Sequence, residues 1–112
     1  MTDMTTAVIY RDAQGITGFE ISGHTGYAEN GSDIVCSAVS AIAQTMVIGL
    51  RETLYLEVLV HMEEGKLSCK LPGLMAQKAR VNASILFETL RLGIINIAEQ
   101  YPDHVEVIEK EV

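Results

Sequence analysis

Apolar residues recur at every second position in five stretches of this chain and at every third or fourth position in two longer ones. Few folds can accept that alternation of periods within 112 residues. A period of two marks a strand with one buried face, and a period near 3.6 marks a helix with one apolar stripe. Ala7 and Ile9 share one face of a strand over residues 4–11, with Val8 and Tyr10 on the other. Asp12-Ala13-Gln14-Gly15 supplies turn chemistry, and residues 16–23 return as a partner strand carrying Phe19 and Ile21.

From Asp33 the period changes. Val35, Val39, Ile42, Met46 and Leu50 form a helical stripe, with Ser32 expected as N-cap and Asp33 favourable at the positive end of the helix dipole. Leu54, Leu56, Val58, Val60 and Met62 then alternate with polar or outward residues, which reads as a strand over 54–62. A turn at Glu63-Glu64-Gly65 leads to a shorter strand carrying Leu67, Cys69 and Leu71. Pro72-Gly73 ends it, residues 74–100 read as a long helix, and a last strand covers about 104–109. The expected fold class is α+β: a single domain over 1–112, order ββαββαβ, with two helices packed on an antiparallel-rich sheet.

The second helix is apolar over most of its circumference between Ile85 and Ala98. One sheet face needs only one stripe, so a two-fold homodimer is expected to cover the rest, with Phe87 facing the partner.

Composition narrows the function. Eight Lys and Arg against fifteen Asp and Glu give a net charge of -7. That balance disfavours direct nucleic-acid binding, which needs a positive field, and suits a basic partner. Two cysteines make no disulfide framework and fit a reducing compartment. No uninterrupted apolar run approaches a membrane span and no signal segment is visible, so the expected location is cytoplasmic.

The segment Gly23-His24-Thr25-Gly26-Tyr27-Ala28-Glu29-Asn30-Gly31-Ser32-Asp33-Ile34-Val35-Cys36-Ser37 carries the chemistry. It places a histidine at a strand end, a glycine-dense loop after it, and a cysteine in the first turn of a helix. A helix N-terminus favours a thiolate. A histidine across a short loop can take the thiol proton and return it to a leaving amine. Free N–H groups at the helix start suit an oxyanion. The same residues admit a plainer reading, in which Cys36 is a small buried hydrophobe. Cys69 shares its face with Leu67 and Leu71 and reads as core, while His61 and His104 read as solvated. A zinc site on His24, Cys36 and Cys69 lacks paired ligand spacings.

GHTGYAENGSDIVCSAVSAI, residues 23–42, resembles the signature of the bacterial ribosomal-processing cysteine proteases, the Prp family. Its members pair a G-H-x-G-Y loop with a G-x-D-I-V-C helix start; Ser37 stands where Ala is frequent. The resemblance implies a cysteine endopeptidase that removes an N-terminal extension from a large-subunit ribosomal protein. By that likeness His24 and Cys36 are the catalytic dyad, Gly26, Tyr27, Gly31, Asp33 and Ser37 border the substrate, and residues 25–32 order over a bound peptide. It also implies a homodimer and a chemistry without metal or organic cofactor. Two other classes remain open from the residues themselves: a non-catalytic ribosome-assembly factor gripping the same basic protein, and a redox sensor using Cys36.

Overall fold

The computed structural model describes residues 4–23 and 30–112, the side chains of 30–33 excepted. β1 (Thr5–Asp12) and β2 (Gly15–Ser22) form an antiparallel hairpin. The Asp12 carboxylate accepts the Gln14 N–H at 2.9 Å and an Arg80 N–H at 2.7 Å. Those two donors hold its carboxyl below the usual carboxylate range. Gly15 completes the turn at φ +132°, a backbone angle that a side chain would strain.

α1 (Asn30–Ile48) follows, then β3 (Leu59–Glu63), β4 (Lys66–Lys70), α2 (Gln77–Gln100) and β5 (Val105–Glu111). The expected order ββαββαβ and α+β class are observed. The sheet runs β3-β4-β2-β1-β5, antiparallel throughout except that β5 lies parallel to β1. Both helices are crossovers between strands of the same direction, which a tight turn cannot join.

Register puts one set of side chains on the helix side of the sheet. Ala7 and Ile9 of β1 stand opposite Ile21 and Phe19 of β2, which stand opposite Leu67 and Cys69 of β4. Val35, Val39, Ala43 and Val47 of α1 and Ala83, Phe87, Leu90 and Ile94 of α2 close over them as one core. Phe19 and Phe87 meet edge to face, with ring centroids 6.2 Å apart, and so fasten α2 to the middle of the sheet. By length and apolarity alone, the helical segments Ile34–Thr53 and Gln77–Gln100 could each cross a membrane. In those segments 33% and 22% of the apolar stretch, respectively, is buried inside the fold.

Several sequence expectations shift. The stripe reaching Leu50 is helical, but α1 ends at Ile48 and Leu50 is buried by a π-helical turn over Gly49–Thr53. Residues 54–58 are not strand, although Leu54, Leu56 and Val58 do turn inward. The Leu56 N–H bonds the Leu50 carbonyl, and β4 is only long enough to pair with β3 from Leu59. The second helix begins at Gln77 rather than residue 74, and β5 runs on to Glu111.

Phe87 does not face a partner: it is 1% exposed and belongs to the core. The uncovered apolar part of α2 is a narrower stripe, Val81, Ile85 and Leu92, while Leu90 and Ile94 are buried. Below Leu92, Arg91 and Arg11 both bond the Glu109 carboxylate, tying α2, β1 and β5 together.

Candidate active site

Cys36 lies in the second turn of α1, because the helix begins at Asn30. That corrects two expectations. Ser32 is inside the helix rather than its cap, and Cys36 is one turn deeper than a first-turn cysteine. Among the described residues, the amides at this helix end without helical partners are those of residues 30–32, one turn before the sulfur. Gly31 and Asp33 are in that first turn, and Ser37, next to Cys36, is exposed.

The Cys36 side chain is buried, 1% exposed. Burial agrees with the plainer reading of this residue, but its surroundings are not purely apolar. The Cys36 Sγ shares a hydrogen bond with the Thr5 hydroxyl, in which either atom can be the donor. Thr5, also fully buried, is the first residue of β1, and its N–H donates to the His104 carbonyl at 2.8 Å. Nothing in the sequence marked Thr5: a β-branched residue opening a strand is ordinary, and its partner is 31 positions away.

The end of β2 reaches the same place. Gly23 has φ +98°, and a Cβ there would overlap the Met4 carbonyl oxygen and lie 3.5 Å from the Thr5 Cα. Its N–H bonds the Gly65 carbonyl at 3.1 Å, in the β3–β4 turn. The chain therefore leaves the sheet one residue before His24 with its backbone pressed on Met4 and Thr5. His24, Gly26 and Tyr27 lie outside the described residues, as does the 25–29 part of the segment expected to order over substrate.

Cys69, the other thiol, is 1% exposed and in the core, as its strand face indicated. Burial pushes its thiol up to about 11, with Arg51 pulling weakly the other way. His61 is exposed and 3.5 Å from Glu63, and His104 is half-buried rather than solvated. Among the described residues no three His, Cys, Asp or Glu side chains group to hold a metal ion.

Known proteins resemble this chain over most of its length. The family profile of cysteine protease Prp matches residues 4–106. The ribosomal processing cysteine protease Prp of Bacillus subtilis (strain 168) is 30% identical over 96 residues, covering 84% of this chain and 86% of its own. The crystal structure of SMU.848 from Streptococcus mutans superposes with a TM-score of 0.88 at 30% identity, over 98% of this chain and 97% of that one. The essential ribosomal processing protease Prp from S. aureus, in complex with a substrate peptide, gives a TM-score of 0.84 at 19% identity. It covers 96% of this chain and all of its own, a likeness of fold.

The chain is thus an α+β cysteine protease. More narrowly, it belongs to the cysteine protease Prp family.

Proposed function

We propose that this protein removes an N-terminal extension from a large-subunit ribosomal protein, with Cys36 as nucleophile and His24 as its acid–base partner. One observation carries the dyad. Cys36 contacts Thr5, and Gly23, the residue before His24, packs on the backbone at that same position. Gly23, next to His24 in sequence, and the helix that carries Cys36 thereby meet at the start of β1.

The chemistry follows from those groups. Cys36 thiolate attacks the scissile carbonyl carbon, a C–S bond forms, and the carbonyl electrons move onto oxygen. The N–H groups at the start of α1 face the developing negative charge. The imidazolium of His24 gives its proton to the amide nitrogen, the C–N bond breaks, and the new N-terminus leaves. Water, deprotonated by His24, then attacks the thioester and frees Cys36.

The -7 charge favours encounter with a basic ribosomal protein. A cytoplasmic location, where such precursors are made, and a homodimer through Val81, Ile85 and Leu92 complete the proposal. Incubation with the precursor, followed by intact-mass measurement, tests it. A loss equal to the N-terminal extension is expected. Stable binding with unchanged mass would favour the assembly-factor reading instead.

A further inference from the structure

We propose that Thr5 is a positioning residue for Cys36: its buried hydroxyl orients the sulfur and donates to the thiolate. This rests on Cys36 being the nucleophile. Cys36 is 1% exposed, so an anion on its sulfur receives little from water and depends on protein donors. The Thr5 hydroxyl is in contact with it and has no other hydrogen-bond partner among the described residues. While the sulfur is a neutral thiol, the hydroxyl can accept its S–H; once it is a thiolate, the same hydroxyl rotates and donates.

Thr5 suits the task for structural reasons. Its β-branched side chain has few rotamers, and its backbone is pinned by the His104 carbonyl and by pairing with Val105. Gly23 packs against that backbone from the other strand. The donor is therefore mounted on the sheet, where it holds its place better than a loop residue does. It acts only through Cys36 and touches no reacting carbonyl.

The test compares wild type, Thr5→Val, Thr5→Ser and Cys36→Ala on a peptide spanning the precursor's extension. Thr5→Val keeps the shape and removes the donor. Its kcat should fall by about tenfold or more, as expected for losing a hydrogen bond to a charged group, with KM nearly unchanged. Iodoacetamide alkylation of Cys36 at one fixed pH should slow in parallel. Thr5→Ser should restore both, which a purely structural role for the methyl group does not predict. If Thr5→Val does not fold, Thr5→Ala against Thr5→Ser makes the same comparison. Wild-type kcat in Thr5→Val, or no recovery in Thr5→Ser, would overturn the inference while an inactive Cys36→Ala left the dyad standing. A cleaving Cys36→Ala would instead overturn the dyad itself.

Discussion

Gly23 lies so close to Met4 that any Cβ at position 23 would overlap the Met4 carbonyl oxygen. Its φ of +98° adds a second obstacle, since side chains rarely adopt that backbone angle. Both constraints act one residue before His24. Gly23→Ala should therefore cost about 1–3 kcal/mol and move the start of the loop. Cleavage should fall more steeply than stability does. Thermal unfolding and kcat/KM on the same preparation check this; loss of stability alone would mean the loop tolerates the shift.

Phe87 fixes α2 to the sheet through Phe19. Phe87→Ala should destabilise by about 3–5 kcal/mol, the range for emptying an aromatic core site. Phe87→Glu should unfold the chain rather than yield a folded monomer, because a charge there is buried unpaired. Circular dichroism distinguishes the two outcomes.

Ile85 is 62% exposed midway along the apolar stripe of α2, with Val81 and Leu92 at its ends. Ile85→Glu should leave the fold intact, with stability changed by less than about 0.5 kcal/mol in the monomer. It should also shift sedimentation from dimer to monomer. A wild type that sediments as monomer at micromolar concentration contradicts the dimer.

Cys69 makes stability depend on alkaline pH. The folded state keeps its thiol protonated to about 11, whereas the unfolded thiol ionises near 9.0. Between those values the folded chain binds more protons, so stability falls as pH rises, by roughly 2–3 kcal/mol for a shift of this size. Urea titrations from pH 8 to 11 should show this loss in wild type. They should show less of it in Cys69→Ala, which is weaker at pH 8 but has no thiol to ionise. Parallel curves for the two proteins would assign the alkaline loss to other groups.

Local periodicity made most of the fold legible. Ala7, Ile9, Phe19 and Ile21 alternate because the sheet has one face under helices, and Val35, Val39 and Leu50 repeat because α1 lies on it. Alternation misled at Leu54–Val58, where Leu54 is still helical (φ −99°, ψ −7°), Tyr55 turns the chain at φ +55°, and alternate residues are buried although β4 pairs with β3 only from Leu59. It also assigned Phe87 to a partner, whereas the residue is in the core. On a helix apolar nearly all round, period alone does not say which stripe the sheet takes, and the sheet took Phe87, Leu90 and Ile94. Of the proposed site, Cys36 and His24 stand out in the sequence by residue type and spacing. Thr5 does not, because its role comes from a contact made only when β1 and α1 pack.

Cleavage of the ribosomal-protein precursor by Cys36→Ala, followed by intact mass beside wild type, bears most directly on the central claim. Cys36→Ala removes the sulfur and little else, so the variant should fold and bind the precursor yet leave its mass unchanged while wild type sheds the extension. Normal processing by a folded Cys36→Ala protein would contradict the account.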